Sequence, residues 1–371
     1  MLNRTNVLIL VVSTLLGLLV LEGLLRLATP YPITSNSNWA DDPQLGYVLD
    51  SSFPEVDAAG FRNDGLELND ADIAVIGDSH AYGIHVFAAD SYPSVLASLT
   101  GKKVYNLGIS SYGIYQYKVL LDRVAESQIE TVIVSLFVDN DLALYLCHVT
   151  TTEYWQNYAK LNDIQLPDCS DYDQEVAGES KQYSGLYGTA TWQLVQKLLN
   201  WINKKPAPED ELMLASIDPP VLTNSERIEA IWTLSSLKNP VVATNFDNSL
   251  RFFREAKIKR EKVDGNLLFV LIPSRPEVLH SSLIQREAQL SPEFASAIGE
   301  LLATKERYIK FFTQESIDYI DALPYVLEAA LQNETRGKKP FYDGPHPLEA
   351  GYAAYAEAAL QGLQDMQRSP Y

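Results

Sequence analysis

A serine, a histidine and an aspartate of the kinds that act together in nucleophilic catalysis stand far apart in this chain. Ser79 follows the apolar run "IAVIG" and Asp78, whereas Asp343 and His346 lie three residues apart in "DGPH" near the end of the sequence. A serine hydroxyl becomes a nucleophile when a base takes its proton, and a histidine base needs a carboxylate that orients it. These residues therefore predict covalent chemistry at Ser79, with His346 as the base and Asp343 as the orienting group.

The elements around these residues predict an α/β fold. Short apolar runs of strand character alternate with stretches whose apolar residues recur at helical spacing. Such alternation indicates a mostly parallel sheet covered by helices on both faces, which is a three-layer αβα sandwich. The predicted strands are residues 72–77, 103–109, 131–138, 266–273 and 317–323, and helices are predicted at residues 91–99, 115–127, 246–262 and 347–364.

Three residues follow predicted strands directly and should share one edge of the sheet. They are Ser79, Gly108 and Asn140. In open parallel sheets, ligands bind at the carboxyl ends of the strands. The predicted nucleophile therefore lies where such a sheet places its ligand site.

The N-terminal residues predict a membrane segment over residues 1–28. Residues 5–21 form a run of 17 uncharged and nearly all apolar residues, which is close to the length that crosses the hydrocarbon core. A cleaved signal peptide is the alternative, although no small-x-small site follows the run cleanly. Arg4 flanks the short side, which favours a cytoplasmic N-terminus. We therefore expect a lipid bilayer as partner and an extracytoplasmic body, periplasmic or at the cell surface.

Composition excludes several classes of partner. With 29 basic and 48 acidic residues the net charge is −19, which argues against binding to nucleic acid or broad docking on anionic lipid. The sequence contains no nucleotide fingerprint or phosphate loop, and neither of its two cysteines has a partner cysteine at metal-ligand spacing. We therefore expect neither a metal nor a cofactor.

Two stretches differ from the strand and helix rhythm. Residues 29–70 are rich in Pro, Ser, Asn and Asp and are predicted to be a linker or lead-in, in which "DAAGFRNDG" is a turn that docks on the body. Residues 71–371 form the predicted domain, with an aromatic-rich insertion at residues 143–225. The insertion's aromatic side chains either stack on sugar rings or line an acyl pocket, or they form a small core of their own.

Two cysteines lie in this insertion, Cys147 and Cys169. In an exported protein they could form a disulfide that closes a short loop. Two unpaired structural thiols are the alternative.

Four sequence blocks together resemble the SGNH (GDSL-like) hydrolase superfamily. "GDSHAYG" resembles its first block, "NLGISSYG" its second, "FVDNDL" its third and "DGPH" its final Asp-x-x-His block. The resemblance implies a flavodoxin-like αβα fold and an ester-cleaving serine enzyme. It also implies that Ser79, Asp343 and His346 are a catalytic triad. The N–H groups of Ser79 and Gly108 and the side-chain amide of Asn140 would then form an oxyanion hole.

The sequence departs from this pattern at two positions. The third block usually opens with glycine, and Val138 stands there; His80 follows the serine where many members carry Leu, Phe or Asn. The "GDSH" form is similar to membrane-associated polysaccharide O-acetyltransferases. His80 lies near enough to the serine to be a candidate substrate contact.

These observations predict a membrane-anchored, extracytoplasmic serine esterase that removes O-acyl groups, O-acetyl first among them, from a glycan or another ester. The first alternative is a polysaccharide O-acetyltransferase that uses the same triad, and a lipase or thioesterase is a further enzyme option. An alternative of another class is a non-catalytic binding or assembly protein of an envelope polysaccharide pathway.

Overall fold

Strands and helices alternate along the chain in this computed structural model, which describes residues 4–28, 39–51, 55–63, 65–125, 127–143, 146–170, 235–287, 290–335, 342–343 and 346–368. Its strands are β1 Trp39–Asp42, β2 Gly46–Leu49, β3 Ile73–Gly77, β4 Val104–Gly108, β5 Thr131–Leu136, β6 Asn266–Leu271, β7 Asp318–Asp321, β8 Tyr342–Asp343 and β9 His346–Pro347. Its α-helices are α1 Arg4–Ala28, α2 Ser79–Tyr82, α3 Tyr92–Thr100, α4 Ile114–Ala125, α5 Cys147–Thr150, α6 Glu153–Asn162, α7 Pro240–Glu261, α8 Arg275–Gln285, α9 Pro292–Glu315, α10 Leu323–Thr335 and α11 Glu349–Arg368.

The central sheet contains five strands in the order β4-β3-β5-β6-β7. Every neighbouring pair in it is parallel. Each of the five apolar runs in the sequence supplies one of these strands. The predicted α/β fold with a mostly parallel sheet is therefore confirmed.

The strands are buried on both faces, as a parallel sheet between helical layers requires. In β3, Ile73 and Val75 belong to the core on one face, which α3, α10 and α11 cover. Ala74 and Ile76 belong to the core on the other face, which α4, α7 and α9 cover. Since successive side chains of a strand point to opposite faces, an uninterrupted apolar run fills both cores at once.

The strand order creates a crevice between β3 and β5. From β3 the chain crosses to β4 on one side and then returns to β5 on the other side. Loops leave in opposite directions at such a point, which opens a space beyond the carboxyl ends of the strands. Ser79 follows β3 and Asn140 lies in the loop after β5, so these two residues border this space.

The prediction of a linker over residues 29–70 is wrong for the described part of that stretch. β1 and β2 form an antiparallel hairpin, and the side chains of Leu45, Leu49 and Phe61 are 0%, 4% and 2% exposed. The hydroxyl of Tyr47 donates a hydrogen bond of 2.7 Å to the carbonyl of Ser110. The lead-in is therefore part of the domain, because its few apolar side chains are buried in the common core.

The described part of the insertion packs on the body of the domain. Trp155 of α6 is fully buried, and its ring lies edge-on to Tyr115 of α4, with centroids 4.9 Å apart. Cys147 and Cys169 are joined in a disulfide. Of the insertion's aromatic residues, six lie outside the described residues: Tyr145, Tyr172, Tyr183, Tyr187, Trp192 and Trp201. Trp155 thus serves as core rather than as a platform for a sugar.

The N-terminal helix α1 covers most of the predicted membrane segment. None of the helices in the described part of the chain has both the length and the apolarity needed to cross a membrane. The anchor stays a prediction.

We predict that Gly108→Ala destabilises the fold, since α2 lies directly against this glycine. A β-carbon at Gly108 would meet the backbone nitrogen of Tyr82 at 2.5 Å and the Cβ of Ala81 at 2.6 Å. Overpacking of this kind costs about 1–3 kcal/mol, to be measured as the free energy of unfolding in denaturant. Gly299→Ala in α9 is the control, because its β-carbon would meet no atom within 4 Å. A Gly108→Ala protein as stable as the parent would contradict this packing.

Candidate active site

Ser79 is the first residue of α2, which begins directly after β3 and Asp78. Asp78 caps this short helix, as its carboxylate accepts a hydrogen bond of 2.9 Å from the N–H of His80. The Ser79 hydroxyl lies 3.3 Å from the same carboxylate, and Ser79 is 6% exposed. The strand end and the cap therefore fix the serine in the crevice with a narrow opening to solvent.

His346 lies far from Ser79 in the sequence but contacts it in space. Its Nε2 atom lies 2.8 Å from the Ser79 Oγ atom, a distance at which the hydroxyl can donate its proton to an unprotonated ring nitrogen. The backbone of Asp343 pairs with that of His346 in the antiparallel β8–β9 ladder. The role of Asp343 as the orienting carboxylate stays a prediction.

Asn140 lies in the tight loop after β5, on the far side of the crevice from β4. Asp141 organises this loop, because its buried carboxylate accepts hydrogen bonds of 2.8 Å from the N–H of Phe137 and 3.0 Å from the Tyr117 hydroxyl. The Oδ1 atom of Asn140 is buried without a hydrogen-bond partner among the described residues. The role of the Asn140 side-chain amide as an oxyanion donor stays a prediction.

The N–H of Gly108 is already engaged. It donates a hydrogen bond of 2.8 Å to the side-chain oxygen of Asn106, whose amide nitrogen donates 3.0 Å to the carbonyl of Ala81. Asn106 thereby ties β4 to α2. In this arrangement the N–H of Gly108 donates its hydrogen bond to Asn106, and its role in an oxyanion hole stays a prediction. Its observed part is to let α2 approach the sheet.

His80 points into the protein, which corrects its assignment as a candidate substrate contact. It is 1% exposed, its ring centroid lies 4.1 Å from that of Phe137 and 5.0 Å from that of His346, and its Nδ1 atom lies 3.3 Å from the Tyr355 hydroxyl. Burial first, and the nearby His346 second, hold the pKa of His80 well below its usual value. The uncharged ring of His80 therefore packs against His346 from the interior of the protein.

His85 lies against His346 and is exposed. Its ring stands edge-on to that of His346, with centroids 5.7 Å apart. The sequence offered no motif for this residue, because it lies six positions after Ser79 in a loop whose path only the fold determines. The exposed imidazole beside His346 is thus His85 rather than His80.

Asp139, directly before Asn140, is a second residue that the sequence did not single out. Its Oδ1 atom is buried without a hydrogen-bond partner among the described residues. Burial, and then the charge of Glu277, raise the pKa of Asp139 to about 7. Glu277 is itself paired with the buried ammonium group of Lys305, which also donates 2.8 Å to Asp321.

Within the described residues, no group of three or more His, Cys, Asp or Glu side chains is placed to hold a metal ion.

We predict that the stability of Asp139→Asn relative to the parent increases as the pH rises. A carboxyl with a pKa of about 7 in the folded state and about 4 in the unfolded state favours folding at low pH. That contribution is lost as the pH rises through 7. Between pH 5 and pH 8 the free energy of unfolding of the variant should gain about 1–3 kcal/mol on that of the parent. An equal difference at both pH values would show that Asp139 does not hold this proton.

Comparison with known proteins finds no matching family model and no matching curated protein. Among solved structures, the chain is similar to one described as a lipolytic protein of the G-D-S-L family from Desulfitobacterium hafniense, with 13% identity, coverage of 78% of this chain and 98% of that chain, and a TM-score of 0.36. It is also similar to an acetylxylan esterase from Geobacillus stearothermophilus, with 11% identity, coverage of 79% and 94%, and a TM-score of 0.37. The function proposed below rests on the geometry of the site itself.

Proposed function

We propose that this protein is a serine esterase that forms an acyl-enzyme on Ser79. The observation that carries the proposal is the 2.8 Å contact between Ser79 Oγ and His346 Nε2, at the carboxyl end of β3 where the strand order opens a crevice. A nucleophile and a base within hydrogen-bond reach at a ligand-binding edge are the minimum that such chemistry requires.

The reaction proceeds in two halves. The Ser79 oxygen attacks the ester carbonyl carbon while its proton passes to Nε2 of His346. The tetrahedral intermediate collapses as His346 returns that proton to the departing alcohol, and the acyl group stays on Ser79. A water molecule then attacks the acyl carbon while one of its protons passes to His346, and His346 gives that proton to the Ser79 oxygen as the acid departs. Asp343 orients the imidazole throughout.

Asp78 competes with His346 for the serine proton, and the geometry favours His346. The hydroxyl has one proton to donate, and its oxygen lies 2.8 Å from His346 Nε2 but 3.3 Å from the Asp78 carboxylate. Burial raises the pKa of Asp78 to about 7, so a larger fraction of this carboxyl is protonated than is usual for an aspartate. The protonated form is a weaker hydrogen-bond acceptor than the carboxylate. Asp78 therefore caps α2, and His346 acts as the base.

The oxyanion of the tetrahedral intermediate is stabilised by the N–H of Ser79 and the amide nitrogen of Asn140. Both groups border the crevice between β3 and β5, and donors placed for developing charge stabilise the transition state more than the ground state. Gly108 is left out of this set because its N–H is bonded to Asn106.

The substrate in this proposal is an O-acylated, first of all O-acetylated, glycan, and the body lies outside the cytoplasm, anchored by α1. The disulfide between Cys147 and Cys169 supports export, because such bonds persist mainly in oxidising compartments. The apolar run over residues 5–21 supports the anchor. Transfer of the acyl group to a sugar hydroxyl differs from hydrolysis only in the acceptor of the second half-reaction.

We predict that a serine-reactive phosphonate labels the full-length protein once and does not label Ser79→Ala. Intact mass spectrometry measures the adduct, and circular dichroism checks that both proteins are folded. A folded parent without an adduct would overturn the esterase proposal and favour a non-catalytic binding protein. In a labelled parent, mass analysis of products formed from an acetyl ester with and without added oligosaccharide distinguishes hydrolysis from transfer.

We also predict that Asn140→Ala lowers kcat on an acetyl ester by about 10²–10³-fold, which is the loss expected for one oxyanion donor. The phosphonate adduct should still form, more slowly. Asn162→Ala is the matched control, since the Asn162 amide donates to the carbonyl of Tyr158 within α6 and its loss should leave kcat unchanged. A kcat for Asn140→Ala equal to that of the control would remove Asn140 from the site.

A further inference from the structure

The loop that joins α2 to the next helical turn carries His85 to the rim of the site. His85 is exposed, and its ring stands edge-on to that of His346 with centroids 5.7 Å apart. His80 packs against the same ring from the interior. The catalytic histidine thus has one buried and one exposed imidazole beside it, and only the exposed one can meet a substrate.

The backbone of His85 has an intrinsically unfavourable conformation. Its φ is 66°, in the left-handed region that residues with a β-carbon rarely occupy. Such a conformation persists when the surrounding structure imposes it, and it occurs frequently at ligand-binding sites. The contacts of the neighbouring residues show what imposes it here.

Arg62 holds one side of the loop. Its guanidinium donates hydrogen bonds of 3.1 Å to the carbonyl of Gly83 and 3.2 Å to the carbonyl of Val86, which flank His85 in the chain. Arg62 is 4% exposed and is paired with Glu55 at 3.0 Å. A buried cation is thus committed to two carbonyl groups on either side of the histidine.

Tyr352 of α11 holds the loop from another element. Its hydroxyl donates a hydrogen bond of 3.0 Å to the carbonyl of Ile84, the residue directly before His85, and its side chain is fully buried. α11 follows β9, which carries His346. The same end of the domain therefore positions both the base and the loop beside it.

The chemistry of the proposed reaction indicates which portion of the substrate lies beside His85. His346 gives its proton to the departing alcohol and takes one from the incoming hydroxyl, so the alcohol oxygen must lie beside Nε2 of His346. The rest of the alcohol extends from that oxygen toward solvent. An exposed side chain along the edge of His346 is then placed beside the alcohol portion rather than the acyl portion.

We propose that His85 is a substrate-contact residue for the alcohol portion, and that this portion is rich in hydroxyl groups. An imidazole ring can form polar hydrogen bonds through its two nitrogen atoms, which match neighbouring hydroxyls of a sugar and find no partner in an alkyl chain. This inference rests on the proposed esterase function and specifies the alcohol that the site accepts.

The test compares kcat/KM of the full-length protein for methyl 6-O-acetylglucoside and for ethyl acetate. The parent should prefer the sugar ester, and His85→Ala should lower the ratio of the two values by about 10-fold, mainly through KM, as expected when a hydrogen-bonding contact to a substrate is lost. A parent without this preference, or a His85→Ala protein with an unchanged ratio, would overturn the proposal. An equal fall for both esters would instead make His85 a support for His346 and would also overturn it.

Two further variants separate contact from loop conformation. His85→Gly accepts a positive φ without a β-carbon and should show the same fall in the ratio with no loss of melting temperature. His85→Asn, which tolerates the left-handed region and keeps a donor and an acceptor, should recover part of the ratio. If His85→Gly restores the parent ratio, the ring is not the contact.

A control variant and a control reaction complete the design. His280→Ala removes an imidazole from α8, outside this loop, and should keep the parent ratio. Phosphonate labelling of Ser79 reports on the proposed function separately. An unlabelled parent would refute the esterase itself, whereas a labelled parent with an unchanged ratio in His85→Ala would refute only the role of His85.

Discussion

The hydrogen bond between Ser79 and His346 is the constraint that the arrangement of the whole domain has to satisfy. Its partners are 267 residues apart in the sequence and 2.8 Å apart in space, so every element between them must be placed before the bond can form. β3 delivers the serine to the edge of the sheet, and β9 delivers the histidine on the approach to α11. The two hydrophobic cores, one on each face of the sheet, keep these two residues in position relative to each other.

A network of polar side chains fixes α2, which carries the serine. Asn63 exchanges hydrogen bonds with both backbone groups of Asn106, and Asn106 in turn bonds to Gly108 and to the carbonyl of Ala81. Each of these buried polar groups is satisfied by another, as a rigid site requires. The lead-in therefore contributes to the position of Ser79 although it is remote from it in sequence.

The sequence predicted what local pattern determines. β3 and β5 are uninterrupted apolar runs bounded by turn residues, so their place in the middle of a parallel sheet and the position of Ser79 at its edge could be inferred. The bond from Gly108 to Asn106, the inward orientation of His80 and the exposure of His85 could not, because each depends on which way a short loop turns after its strand. The lead-in resembled a linker because its buried side chains, such as Leu45 and Phe61, are sparse among polar residues.

The packed hairpin at Trp39 has a consequence for where the protein can act. Ten residues separate the end of α1 at Ala28 from the start of β1 at Trp39, so the distance between Ala28 and Trp39 is at most about 40 Å even with this stretch fully extended. With α1 in a bilayer as proposed, the body could not move farther than this from the lipid surface. The proposed activity would then be limited to material that passes close to the membrane.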